Sequence, residues 1–287
     1  MSGRLSSLAI RLISAFIALI ILFGTMHFAG VWGLRALALV VVILGTRELL
    51  RILFKTKDRP IVKILFTSLM IAIFALTVWS LQAAAVTFSV LVICFFSVSL
   101  WLNDRFQDLA ALNSYQTKSL LGFFYLGFLP AMAVRLLDLQ HGNLWFIALL
   151  AFVFTGDSCA YFFGMLMGKN LLMPAISPKK TVEGALGGLL GSMIAAGIIV
   201  AIQTVFGGDA FGRLPLWPVV GLALFAGAAG QMGDLFESLL KRVANQKDSG
   251  SFMPGHGGVL DRIDGVLFAA PIVLAGATII ETYFIQK

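Results

Sequence analysis

The residues able to do chemistry gather between Asp157 and Asp264. Asp234, Glu237, Ser238 and Lys241 recur at i, i+3, i+4 and i+7, which on a helix makes one polar stripe. Internal pairing of acid and base would neutralise such a stripe. It would not account for the segment that follows, where Lys247, Asp248, His256, Asp261, Arg262 and Asp264 crowd among five glycines between 250 and 265. Glycine permits positive φ and close backbone approach. N–H groups of such a loop, Gly257 and Gly258 among them, can be aimed at phosphate oxygens. Asp261 and Asp264 are three apart and share a face if a helix begins there. Their hard oxygens, with those of Asp234, suit Mg²⁺, which binds through one or two carboxylates plus substrate phosphates. The three aspartates therefore read as a metal site between two spans. The plainer alternative is an interfacial loop with turn glycines, which leaves the density of acids and bases unexplained.

Ser177-Pro178-Lys179-Lys180-Thr181 reads as a helix start, with Ser177 as N-cap and Pro178 in the first helical position. Lys179 and Lys180 would then sit in the first turn, where cations oppose the helix dipole. That conflict points to a bound anion, phosphate by its chemistry, held by the helix N-terminus and both lysines. Two cytoplasmic-side lysines with no ligand are the alternative. Asp157, Tyr161, Gly164 and Gly168 form another helix face, at i, i+4, i+7 and i+11. An acid inside an apolar run marks a functional site by default, whereas the glycines equally suit a small-residue packing seam. His256 could act as a base, a phosphate donor or a loop organiser, and we favour the last two. One histidine without a second makes no transition-metal site. Neither a nucleophile elbow nor a P-loop is present, so hydrolase and NTPase readings lack support.

These side chains need walls to hold them, and composition says what the walls are. Charged residues are 12% of the 287, the apolar set is 59% and the mean hydropathy is +0.96. Soluble domains carry roughly 25% charged residues. A soluble globule and a disordered chain are both excluded, which leaves a polytopic membrane protein. The net charge of +7 does not indicate nucleic acid, because the basic residues sit between apolar runs. Cys94 and Cys159 lie inside apolar segments and suggest neither a disulfide framework nor zinc.

A helix needs about 20 apolar residues to cross a bilayer. Nine runs qualify, near 9–28, 31–50, 62–81, 83–102, 119–137, 143–168, 182–206, 215–237 and 264–284. Their length, and the absence of ten-residue alternation, favour an all-α fold over a barrel. The first run has no clean cleavage site after it and reads as a retained span. Nine spans place every basic residue except Arg35, Arg135, Arg213 and Lys287 on one face. The positive-inside rule makes that face cytoplasmic, with the N-terminus inside and the C-terminus outside. The chain reads as one membrane domain: residues 1–118 form scaffold and lipid-facing wall, and 119–287 the catalytic half. The glycines of the seventh run, Gly184, Gly187, Gly188 and Gly191, could pack on their own neighbours or on a second copy in a homodimer.

Ser238 to Asp264 resembles the signature of the phosphatidate cytidylyltransferases, also called CDP-diacylglycerol synthases. That signature is Ser-x-x-Lys-Arg, four residues, Lys-Asp-x-Gly, then Pro-x-His-Gly-Gly-x-x-Asp-Arg-x-Asp, 27 residues in all. Asp157-Ser158-Cys159-Ala160-Tyr161 and Ser177 to Thr181 look like two further family motifs in the expected order. Met253 stands where the family usually has Leu, Ile or Phe. The resemblance implies a membrane enzyme of phospholipid biosynthesis that makes CDP-diacylglycerol and pyrophosphate from CTP and phosphatidic acid. It also implies Mg²⁺, alone or with a monovalent cation such as K⁺, at paired aspartates matched here by Asp234 and Asp261, with Asp264 close by.

All the motifs fall at the cytoplasmic ends of spans six to nine, which predicts an active site facing the cytoplasm in the inner membrane. Asp234, Ser238, Lys241, Asp261 and Asp264 are the expected catalytic set. Lys241, Arg242, Lys247 and Arg262 would hold phosphates, and Lys179 and Lys180 the lipid phosphate or the leaving pyrophosphate. Two rivals remain. One is a sister enzyme acting on another lipid phosphate, such as an isoprenoid-linked one. The other is a transporter of an anionic lipid or nucleotide, which would place polar residues along the spans and on both faces.

Overall fold

The computed structural model describes residues 2–54, 60–106, 108–206, 214–250 and 257–285. In lipid a spanning backbone must satisfy its own N–H and C=O groups, and each apolar run is a helix. In chain order these are α1 (Ser2–Phe28), α2 (Gly30–Leu53), α3 (Pro60–Trp79), α4 (Leu81–Trp101) and α5 (Leu109–Gly122). A π-helical stretch, Phe123–Phe128, carries α5 into α6 (Leu129–Arg135). There follow α7 (Gly142–Met167), α8 (Val182–Phe206), α9 (Leu216–Val243) and α10 (Leu260–Ile280), the last ending in a π turn over Glu281–Ile285. Among the described residues seven helical stretches, from Pro60–Trp79 onward, are long and apolar enough to cross a membrane. The chain is thus an all-α, multi-pass membrane protein. The fifth run starts ten residues earlier than its hydropathy suggests, because Asp108 caps the helix by accepting the Ala111 N–H at 2.6 Å.

One expectation is corrected. Ser177 does not cap a helix: Ser177–Thr181 is a strand (β2) paired antiparallel with Leu171–Met173 (β1), Leu171 opposite Thr181 and Met173 opposite Ser177. The helix starts at Val182, and Thr181 is its cap, its hydroxyl accepting the Gly184 N–H at 3.1 Å. Glu183 then falls in the first turn, where an acid suits the dipole. Its carboxylate accepts the Lys169 and Asn170 N–H groups and the Asn170 amide, tying the end of α7 to the start of α8. Lys179 and Lys180 precede the helix, so no conflict with its dipole exists to be relieved by an anion.

The chain divides into two compact units. The first comprises Met1–Val134 and Val243–Arg262, the second Arg135–Arg242 and Ile263–Lys287. The first is packed around aromatic rings: Phe66 stacks on Phe123 at 5.3 Å, Phe95 meets Phe123 edge-on at 4.9 Å, and Tyr115 lies against Phe54 and Phe95. Gly122 admits Phe66, whose ring would stand 2.6 Å from any Cβ there.

The second unit is built on the α7–α8 pair. A Cβ on Gly191 would lie 2.6 Å from the Cβ of Cys159, and one on Gly188 3.0 Å from that of Ala160. The glycines of α8 therefore let it approach α7 of the same chain nearly backbone to backbone, the device by which membrane helices gain van der Waals contact. Ser192 fastens the seam by donating to the Phe152 carbonyl at 2.8 Å. Near the C-terminal end of α10, buried Glu281 accepts the N–H groups of Gln140 (3.1 Å) and His141 (2.9 Å) and the indole N–H of Trp145 (2.9 Å).

Candidate active site

The first unit holds the signature loop. The chain leaves α9 through Asn245, at φ 55°, and Gln246 donates to the Arg51 carbonyl at the end of α2 at 3.3 Å. Ser249, 2% exposed, turns into the unit. The Asp261 carboxylate reaches back over the loop: its Oδ2 accepts the Ser249 N–H at 3.1 Å, the Ser249 hydroxyl at 2.9 Å and the Gly258 N–H at 2.8 Å. Gly257 is at φ +81°, a conformation that needs glycine, and a Cβ there would press on the same Asp261 oxygen at 2.8 Å. Asp261 thus lies in the first turn of α10 with one oxygen ordering the loop around it.

Sequence reasoning missed Glu48. It lies at the end of an apolar run on α2, and 5% of its surface is exposed. Its Oε1 accepts the Val259 N–H at 3.0 Å, and its Oε2 accepts the Leu260 N–H at 2.9 Å and the Ser249 hydroxyl at 3.0 Å. The first N–H groups of a helix have no partner within the helix, and Glu48 supplies one from another element. Its signal in the sequence was an acid between Arg47 and Leu49 in a run otherwise poor in acids.

The second unit gathers the polar stripe of α9. Lys180, from β2, places its ammonium 2.6 Å from Asp234 Oδ2. Ser238 Oγ stands 3.4 Å from the other Asp234 oxygen. One turn on, Lys241 pairs with Glu237 at 3.0 Å, and Glu237 is fully buried. Asp264 lies against this row, near Asp234 and Glu237. A Cβ on Gly233 would overlap the Asp264 backbone carbonyl, so glycine is what lets α10 come this close to α9. Arg242 donates to the Ile176 carbonyl at 3.2 Å, fixing the β1–β2 turn to the end of α9.

Lys180, Asp234, Ser238, Glu237, Lys241 and Asp264 are therefore brought together, as are Ser249, Gly258 and Asp261 in the other unit. The i,i+4 pairing considered for the stripe is real for Lys241. Lys179, Lys247 and Arg262 are exposed, and Asp157 and Tyr161 are exposed on α7. Gly164, on that same helix, and Gly168, just past its end, pack on Thr181: a Cβ at Gly164 would lie 3.1 Å from its hydroxyl. His256 and Met253 lie outside the described residues, as do Lys55, Lys57, Arg59, Arg213 and Lys287.

Among the described residues no three His, Cys, Asp or Glu side chains gather into a group that would hold a metal by themselves. Mg²⁺ does not need such a cage, since one or two carboxylates and substrate phosphates complete its shell. The neighbouring Asp234 and Asp264 carboxylates of the second unit are hard oxygen donors of that kind. The Lys180 ammonium rests on Asp234 there.

The model of the cytidylyltransferase family matches residues 9–280. A curated relative from Synechocystis sp., named phosphatidate cytidylyltransferase, is 33% identical over 92% of this chain and 94% of its own length. Relatives of the same name from Bacillus subtilis and Brucella suis are 40% and 42% identical. Those two matches cover about half of each chain, 49% of both for Bacillus and 56% and 57% for Brucella.

Proposed function

The chain belongs to the cytidylyltransferase family, and we propose that it is a phosphatidate cytidylyltransferase, making CDP-diacylglycerol and pyrophosphate from CTP and phosphatidic acid. One observation carries this reading: a relative of that name matches over nearly the full length of both chains. The charged positions of the 27-residue signature are all present beside it.

The reaction is a displacement. A phosphate oxygen of phosphatidic acid attacks the α-phosphorus of CTP, the bond from that phosphorus to the bridging oxygen breaks, and pyrophosphate leaves with the electron pair. The attacking phosphate is already ionised near neutral pH, so no general base is required. Positioning and charge neutralisation supply the rate. Mg²⁺, when bound, supplies part of that neutralisation at the triphosphate oxygens, and Asp234, Asp261 and Asp264 are the carboxylates proposed to hold it. The protein's own cations do the rest. Lys180 and Lys241 rest on Asp234 and Glu237, from which substrate phosphates can draw them. Ser238 steadies Asp234. Lys179, Lys247 and Arg262, exposed to solvent, and Arg242, at the hairpin, are the cations proposed to hold phosphate oxygens. The excess of Lys and Arg on one set of connections supports a cytoplasmic N-terminus and a site on the cytoplasmic side of the inner membrane.

The test uses purified protein in detergent with phosphatidic acid, α-labelled CTP and Mg²⁺, following label into the lipid phase. Asp261→Asn runs beside it. Magnesium-dependent labelled lipid is expected from the wild type and almost none from the variant, which should still fold. Transfer to an isoprenoid phosphate in place of phosphatidic acid would overturn the substrate assignment. Normal turnover by Asp261→Asn at ordinary Mg²⁺ would overturn the role of that aspartate.

A further inference from the structure

Glu48 is a buried carboxylate, on a helix outside the signature, that makes three hydrogen bonds to the signature loop. The loop is shaped around it. A Cβ on Gly250 would stand 2.8 Å from Glu48 Cδ, and one on Gly258 2.7 Å from the same atom. Both glycines thus admit this side chain. Ser249 Oγ lies 3.0 Å from Glu48 Oε2 and 2.9 Å from Asp261 Oδ2, so one hydroxyl spans the two carboxylates. A simple cap for α10 would need the Val259 and Leu260 N–H groups alone. Glu48 also holds the residue that holds Asp261.

We infer that Glu48 is a positioning residue: acting through Ser249 and the first turn of α10, it fixes the Asp261 carboxylate in the one place where the reaction can use it. The inference rests on the proposed function for the meaning of Asp261, and on the geometry of the first unit for the rest. An outer partner of this kind typically sets metal affinity or activity by about 10–100-fold. Glutamine cannot replace it. An amide offers one acceptor oxygen, and its N–H₂ would face either the Val259 N–H or the Leu260 N–H and the Ser249 hydroxyl.

The test compares Glu48→Gln, Glu48→Asp and wild type in detergent. It reads kcat, the Mg²⁺ concentration for half-maximal rate, Mn²⁺ binding by electron paramagnetic resonance, and amide exchange at Gly258 to Leu260. In Glu48→Gln, kcat should fall about tenfold or more, metal binding should weaken about tenfold or more, and the three amides should exchange faster. Glu48→Asp should recover part of each loss. Faster exchange with kcat and metal dependence at wild-type values would reduce Glu48 to a structural cap and overturn the inference, as would unchanged exchange. Should Glu48→Gln fail to fold, Ser249→Ala leaves both backbone bonds to Glu48 in place and should show the same losses in smaller measure; wild-type values there overturn it. If the wild type makes no labelled lipid, the proposed function fails separately. Mn²⁺ binding and exchange then decide the inference: weaker binding with faster exchange upholds it, and equality with wild type removes it.

Discussion

Gly258→Ala tests the packing of the loop with a single methyl group. The Cβ would stand 2.7 Å from Glu48 Cδ and would overlap Ser249 Oγ and a Glu48 oxygen. Carbon atoms in contact prefer about 3.5–4.0 Å, so the loop must open by roughly 1 Å. Overpacking on this scale costs about 1–3 kcal/mol, which a thermal unfolding curve in detergent would show as a lower midpoint. The larger effect should be on turnover. A displacement of about 1 Å at a reacting geometry can cost about 10²-fold, and Gly258 donates directly to Asp261. Label transfer from CTP to lipid, per folded molecule, should therefore fall by about 10–100-fold. Gly197→Ala on α8 is the control, because nothing stands within 4 Å of a Cβ there. It should keep full activity and gain about 0.5–1 kcal/mol, as glycine-to-alanine changes in helices do. The sharper arm is the double variant Glu48→Asp with Gly258→Ala. Removing one methylene withdraws the carboxylate by about 1.5 Å and makes room for the methyl group, so the pair should outperform Gly258→Ala by itself. Residues in contact depart from additivity in this way. Full activity in Gly258→Ala, or a double variant no better than the product of the two single losses, would show that the loop is not packed around Glu48.

The other predictions concern packing in the second unit. Glu281→Ala leaves three donors at Gln140, His141 and Trp145 without their acceptor. At about 1–3 kcal/mol for each unsatisfied buried group, even partial hydration leaves a loss of about 3 kcal/mol. Asp264 lies about 25 Å away along α10 by helix rise, so turnover per folded molecule should hold, and a matching fall in turnover would count against that separation of roles. Gly191→Val sets a branched side chain where a Cβ already stands 2.6 Å from that of Cys159. It should force α7 and α8 apart at a cost of about 3 kcal/mol, and an unchanged unfolding midpoint would show that the seam is looser than described.

What the sequence revealed followed how local the information was. Apolar runs of about 20 residues announce helices because lipid permits little else, and α3, α4, α7 and α8 begin within two residues of their predicted starts. The first turns of α5 were hidden because Asn113, Ser114, Gln116 and Lys118 lower its hydropathy. The β1–β2 hairpin was hidden because Ser-Pro serves equally well as a helix cap or as an extended pair; Thr181 and Glu183, offering a better cap and a better first turn, decided the matter. In the site, the α9 stripe was legible from its 3.6-residue period. Lys180 on Asp234 and Glu48 on the loop were not, because neither partner is near in sequence. The glycines misled in a particular way. They were read as freeing N–H groups for phosphate, yet the Gly258 N–H is bonded to Asp261 and the missing side chains at 250 and 258 make room for Glu48.

That Glu48 draws its partners from the far end of the chain bears on how the protein is made. Val259 and Leu260 emerge 211 and 212 residues after it. At roughly 5–20 residues per second, a ribosome reaches them about 10–40 s later. Through that interval the partners that Glu48 takes in the folded chain have yet to be made, and they arrive with the first turn of α10. A polypeptide cut short before residue 260 cannot complete the half that was synthesised first. Such a product would carry an unsatisfied carboxylate where quality-control proteases of the membrane could find it.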